Sequence, residues 1–325
     1  MTAPEHIPSP VRGVLLATVT AVTWGTVPIA GKIALPGMSA AVLSSLRLLL
    51  AAGFMALLLW RRTGRAPPAL PRGAPLAALA LAGNYVGYMW GVERAGAGTS
   101  QVLIQTAPLF LVVLSVVFLG ESMKLRQALG AAVAFAGVGL VSWRETATVP
   151  GSATGVLFLL AAAFVWAIYA AIHKRLGREH GSGGTIMWIS LFAGLFLVPV
   201  AGFEEWRTPD GVQLAAIGYL CVNTIVAYWC FAEALRHIDA SLAAVICTVG
   251  PVVTFLLLGV TNSCDQQRVP HEPLTVPKLL GAAMVVSGVA AAVATRRGRV
   301  AAAGARAPGP AATPVAHAAG SASDA

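Results

Sequence analysis

Apolar runs of about 20 residues recur along the whole chain, at 13–34, 40–60, 74–92, 98–119, 125–143, 154–173, 184–203, 212–234, 240–261 and 275–295. At a helical rise of 1.5 Å per residue, each run is long enough to cross a hydrocarbon core of about 30 Å. In such a core every backbone donor and acceptor must be satisfied inside the segment, which makes each run an α-helix. The pattern predicts an all-α integral membrane protein of ten transmembrane helices. Two runs are interrupted alike. QVLIQTAPLF (101–110) sets two glutamines, a threonine and Pro108 in an apolar stretch, and AVICTVGPVV (244–253) sets Thr248 and Pro251 in another.

Composition removes the soluble alternative. Of 325 residues, 57% are hydrophobic and only 11% charged, against about a quarter charged in soluble domains. The net charge of +9 does not point to nucleic acid, because Lys and Arg cluster between runs and at the ends, as in WRRTGRAPPALPRG (60–73), KRLGR (174–178) and RRGR (296–299). With the N-terminus inside, fifteen of the 22 basic residues fall on cytoplasmic segments, six on outer ends and one, Arg47, within the second span. Cytoplasmic loops are enriched in Lys and Arg, so both termini are expected in the cytoplasm, with the protein in the cell membrane. MTAPEHIPSPVRG lacks the features of a cleaved signal, and the Ala/Gly/Pro/Ser-rich stretch 296–325 reads as a disordered cytoplasmic tail.

The chain repeats itself. With Pro108 placed on Pro251, Tyr85 falls on Tyr228, and ERAGAGTSQVLIQTAP (93–108) falls on RHIDASLAAVICTVGP (236–251). Upstream, GVLLATVTAVTWGTVPIAGK (13–32) falls on GVLFLLAAAFVWAIYAAIHK (155–174), so that Trp24 meets Trp166. Downstream, GESMKLRQALGAAVAFAGV (120–138) pairs with HEPLTVPKLLGAAMVVSGV (271–289), which puts Glu121 on Glu272. The organisation expected is a cytoplasmic N-terminus (1–12), a five-helix repeat (13–143), a linker (144–153) and a second five-helix repeat (154–295) with an insertion, TNSCDQQR, at 261–268. Five is odd, so the second unit enters the membrane from the opposite side. Inverted repeats of this kind are a recurrent plan of secondary transporters, with substrate bound near the midplane.

The duplicated unit resembles the EamA domain of the drug/metabolite transporter superfamily. The matching features are TWG in span 1, LSSLRLLLAAG in span 2, AGTSQVLIQTAPLFLVVLSVVFLGES in span 4 and LLGAAMVVSGV in span 10. The resemblance covers residues 13 to about 295. It implies a 5+5 inverted-repeat fold, a central cavity lined by spans 1, 3, 4, 6, 8 and 9, and export of amino acids or other small metabolites. TNSCDQQR departs from the family pattern at the end of span 9.

Candidate site residues are the polar and aromatic groups inside the spans. Pro108 and Pro251 each free a carbonyl, and either kink the helices for packing or hinge a substrate pathway. Gln101 and Gln105 share a helical face and either tie helices together or line a wet cavity. Trp24, Asn84, Tyr85, Tyr88, Trp166, Tyr169, Asn223, Tyr228 and Thr248 are read as further cavity candidates, since aromatic walls with a few polar groups suit a mostly apolar solute. Arg47 is costly in a span unless paired or wet, and reads either as a contact for an anionic group or as half of a structural pair. Lys32 and Lys174 are read as snorkelling anchors. No acidic residue is placed mid-span, so facilitated diffusion or exchange is expected, with Glu233 the coupling candidate otherwise.

Enzyme motifs HExxH, GxSxG and the P-loop are absent from the sequence, and the four scattered cysteines suggest neither a disulfide nor a metal site. The expected protein is therefore a carrier rather than an enzyme. It would use no metal or cofactor and bind no nucleic acid, with a small-molecule substrate and membrane lipid as its partners. Its oligomeric state is left open. An integral-membrane enzyme and a lipid-linked or nucleotide-sugar translocator are the competing readings.

Overall fold

The computed structural model describes residues 9–64, 68–119, 124–202, 205, 207–263, 268–269 and 271–294. Residues 1–8, Glu121, Glu204, Trp206, positions 264–267 of the insertion and the expected tail at 296–325 lie outside the described residues. Those described form helices α1 (Pro10–Ala34), α2 (Ala40–Thr63), α3 (Ala74–Ala95), α4 (Ala97–Leu103), α5 (Ala107–Leu119), α6 (Leu125–Thr148) and α7 (Ser152–His180). They continue with α8 (Ser182–Ala201), α9 (Gly211–Ala234), α10 (Ala240–Cys247), α11 (Gly250–Ser263) and α12 (Val276–Ala294). A 3-10 turn, Ile104–Thr106, joins α4 to α5.

Among the described residues, nine helical segments are long and apolar enough to cross a membrane. The expected third span, α3, is not one of them. It carries Asn84, Tyr85, Tyr88 and Trp90, and it can do so because it lies inside the bundle against α7 and α8, with most of its residues buried. Outer helices do the reverse. Val11, Leu15, Val19 and Val22 of α1 and Leu256 and Val260 of α11 are exposed, a surface that suits lipid and not water.

Helix packing carries the signature of a two-fold relation between the repeats. α1 runs along α9, and α3 runs along α7; these are span 1 on span 8 and span 3 on span 6, the same pair with the halves exchanged. α2 packs on α8, and α6 on α12, so spans 2 and 5 each meet their own counterpart. The first turns agree in detail. A methyl group added to Gly13 would come within 2.8 Å of His237 and Ile238, and one on Gly155 would come within 2.9 Å of Arg94 and Ala95. Both contacts place the start of one half on the corner between two spans of the other.

The α6–α12 seam is built on small residues. Gly137 faces the carbonyl of Gly281, and Gly130 faces that of Gly288, the close approach that lets membrane helices associate without a hydrophobic driving force. Two sequence expectations change here. The interval 144–153 is mostly helix, because α6 continues to Thr148 and α7 starts at Ser152. Glu145, expected in that linker, lies in the last turn of α6 and is buried.

A candidate substrate cavity between the repeats

The interrupted runs are broken helices. α4 ends at Leu103, and Pro108 is the second residue of α5, where its missing N–H leaves no bond unmade. α10 ends at Cys247, and Pro251 is likewise the second residue of α11. At the breaks Thr106 Oγ1 donates to the Leu103 carbonyl at 2.7 Å and Thr248 Oγ1 to that of Val245 at 2.6 Å, and the Ile104 carbonyl, four residues before Pro108, accepts from the Ala107 amide. Gln105 Nε2 crosses between the two breaks to the Cys247 carbonyl at 3.2 Å. The prolines thus start new helices rather than bend one.

A cavity of about 190 Å³ lies beside these breaks. Most of its lining is made of repeat counterparts. Trp24 and Trp166 both line it, as do Tyr85 and Tyr228, and Tyr88 and Phe231. Gln101 with Ala244, Ile104 with Cys247, and Gln105 with Thr248 complete the set from the two breaks. The void therefore sits where the halves meet. Its volume falls below the roughly 300–1,000 Å³ of sites for drug-sized ligands.

Among the described residues, one cation lines it. Arg47 is 5% exposed; its Nε donates to Thr224 Oγ1 at 2.9 Å, and the guanidinium lies 5.0 Å from the centre of the Tyr85 ring. No carboxylate pairs with Arg47 among the described residues, and its Nη groups hydrogen-bond none of them. Asn84 Nδ2 donates to the Ala162 carbonyl at 3.0 Å, which ties α3 to α7, and Tyr88 donates to Gln101 Oε1 at 3.0 Å. Trp24 meets the edge of Tyr228 at 6.3 Å and tilts against Phe231 at 5.4 Å.

Of the residues expected at the site, Trp24, Arg47, Asn84, Tyr85, Tyr88, Gln101, Gln105, Trp166, Tyr228 and Thr248 line the cavity, together with Pro108. Four do not. Asn223 is buried between α9 and α1, its Nδ2 donating to the Thr23 carbonyl at 2.8 Å and lying 3.2 Å from both Thr26 Oγ1 and Tyr219 Oη. Tyr169 lies behind Trp166 and stacks on His173 at 5.5 Å. Pro251 packs away from the void at the base of α11. Glu233 closes α9 among Arg12, Arg236 and His237. Phe231, Ile104, Cys247 and Val27 are lining residues that the sequence reading passed over. The repeat marks two of them, since Phe231 corresponds to Tyr88 and Cys247 to Ile104.

A second void, of about 330 Å³, is lined by Lys32, Glu93, Arg144, Glu145, Glu272 and Lys278 among others. Lys278 Nζ pairs with Glu145 Oε2 at 3.1 Å and contacts Glu272 Oε1. Thr99 donates to Glu145 at 2.7 Å, and the Glu272 carboxylate accepts from the amides of Ala97 and Gly98 at the start of α4. Lys32 is part of this end of the bundle and not a snorkelling anchor, since its Nζ donates to the Glu93 carbonyl at 3.0 Å.

Ten helical spans in two inverted halves around a cavity at their junction define a multi-pass membrane transporter of the inverted-repeat class. The model of the EamA-like transporter family matches residues 11–143 and again 153–294, and the chain belongs to that family. The uncharacterized inner membrane transporter YhbE of Escherichia coli K12 is 30% identical over 290 residues, covering 85% of this chain and 89% of its own. A probable terminal-alkyne amino-acid exporter of Streptantibioticus cattleyicolor is 31% identical over 293 residues, 86% of this chain and 92% of its own. A solved crystal structure shares the fold with a TM-score of 0.64 at 19% identity, covering 89% of this chain and 99% of that one.

Proposed function

We propose that this transporter is a secondary carrier that exports amino acids or related small molecules from the cytoplasm by alternating access, both termini being cytoplasmic. The observation that carries the reading is the central cavity, walled by counterpart residues of the two halves. A rocking of one half against the other would open it first to one side and then to the other. The relative named as a probable amino-acid exporter supports the substrate class. Among the described residues no carboxylate lines the cavity, which supports facilitated diffusion or exchange over a carboxylate relay in the pathway.

The test compares metabolites inside and outside cells that express the chain, untargeted, with an Arg47→Ala, Gln105→Ala double variant as control. A solute class that accumulates outside only with the intact protein is the expected result. Accumulation inside would reverse the direction. No movement of any solute, with the protein present in the membrane, would overturn the carrier reading.

A further inference from the structure

The two halves contribute unequal chemistry to the cavity they share. The first supplies its strong hydrogen-bonding groups: Arg47, Asn84, Tyr88, Gln101 and Gln105. At the corresponding positions of the second half, Asn84 becomes Ala227, Tyr88 becomes Phe231, Gln101 becomes Ala244 and Gln105 becomes Thr248. The Thr248 hydroxyl bonds the Val245 carbonyl, and in the first half Asn84, Tyr88 and Gln105 likewise donate to Ala162, Gln101 and Cys247, so the difference between the halves rests first on Arg47. The first half therefore brings the charge and the amides, beside Trp24, Tyr85 and Ile104, whereas the lining of the second half, Trp166, Tyr228, Phe231, Ala244, Cys247 and Thr248, carries neither a charge nor an amide.

We infer that the ligand is a small amphipathic carboxylate, held head-first on Arg47 in the first half with its uncharged apolar body against the second half. This rests on the carrier reading and deepens it. Arg47 lines a cavity that no carboxylate lines among the described residues, and no described residue hydrogen-bonds its Nη groups; a guanidinium matches a carboxylate with paired donors. An ammonium group finds only neutral acceptors there, such as the Gln and Asn side-chain oxygens and the aromatic rings. The carboxylate is the required group, the α-amino group is tolerated, and a second positive charge is rejected by Arg47 at short range. The cavity volume of about 190 Å³ limits the body to one ring or a short chain.

The experiment is equilibrium dialysis of the full chain in detergent with radiolabelled 3-phenylpropionate, with phenylalanine, phenylalaninamide and lysine as competitors. Phenylpropionate and phenylalanine bind within a few-fold of each other, phenylalaninamide competes at least about ten-fold more weakly, and lysine does not compete. These are the outcomes expected when a charge-assisted hydrogen-bond pair is present or lost. Arg47→Gln weakens phenylpropionate binding by about ten-fold or more, and Arg47→Lys recovers part of it. The ligand series on the unaltered chain decides the matter even if the Arg47 variants do not fold. Phenylalaninamide equal to phenylpropionate, or no binding of any probe to folded protein, overturns the inference. Reconstitution in liposomes separates the two readings: other solutes crossing while carboxylates do not bind leaves the carrier standing and removes the carboxylate. Carboxylates that bind without crossing do the opposite.

Discussion

Replacing Lys278 by methionine tests whether charge holds together the end of the bundle that carries Glu145 and Glu272. The three side chains are 6%, 9% and 11% exposed, so water screens them little. Two unit charges about 4 Å apart attract by about 4 kcal/mol at an effective dielectric constant near 20. Desolvation opposes this, and a buried pair taken as a whole is weak evidence of stability. Removing one partner is a different matter. Methionine would fill much the same space, but Glu145 would keep the Thr99 hydroxyl and Glu272 the amides of Ala97 and Gly98, with Lys32, beyond pairing distance, as a nearby cation. Leaving a buried charge uncompensated costs about 3–5 kcal/mol. The double variant Lys278→Met, Glu145→Gln removes one cation and one anion, and recovers more than half of that loss. The assay is unfolding of the purified chain in mixed micelles, followed by far-ultraviolet circular dichroism as denaturing detergent is raised. A single variant within about 1 kcal/mol of the parent, or a double variant no more stable than the single, would refute the reasoning, since even breaking a minor buried pair exceeds that margin.

Gly137→Ala would place a methyl 2.6 Å from the Gly281 carbonyl oxygen and cost about 1–3 kcal/mol by overpacking, whereas Gly139→Ala, which meets open space, is neutral or slightly stabilising in the same unfolding assay. Glu233→Gln leaves the gradient dependence of transport in liposomes unchanged, because Glu233 pairs with Arg12 and Arg236 away from the cavity; its loss would move the coupling site to Glu233. Asp210 caps α9 and pairs with Arg268, and that hydrogen bond, first among its causes, holds its carboxyl below the usual 3.8. A depressed folded-state value makes the contribution complete above the unfolded value and lost as pH falls through the folded one. Asp210→Asn therefore lowers stability at neutral pH, and the difference from the parent narrows only below about pH 4.

Much of the architecture was legible because membrane spans are written in run length, and the inversion in an odd repeat. The two helix breaks were legible for the same reason, each being a proline at a matched place. Rotation about a helix axis was not read so well. Asn223 and Tyr228 share a span and both read as cavity candidates, yet five residues at 100° each put them about 140° apart, and Asn223 turns toward α1. Tyr228 and Phe231 are three apart and do share a face, so Phe231 could have been found. The Glu145–Lys278–Glu272 cluster was beyond reach, because its members come from distant segments and nothing local marks them. Glu145 was assigned to a linker because the apolar run ends at Trp143, but the helix continues and carries it to Lys278.

A duplicated fold with inverted halves offers two arrangements, one open at each end, that backbone symmetry alone would make equal in energy. Side chains break that equality. Lys278 corresponds to Gln127 in the first half, and Gln127 bonds its own helix start and the Ala292 carbonyl with no charge involved. The Lys278 end thus has a buried ionic cluster that also caps the start of α4, whereas Gln127, at the place of Lys278, brings no charge to the other end. Under the proposed alternation, opening the Lys278 end separates those charges, so the resting population is biased toward closure there. A bias of even 1.4 kcal/mol is ten-fold in population. Lys278→Gln, the residue of the other half, shifts that population toward the open form, read as faster labelling of a cysteine placed at Thr148 beside the second void. Unchanged labelling would mean that the ionic cluster moves as a rigid unit and that the asymmetry between the halves lies elsewhere.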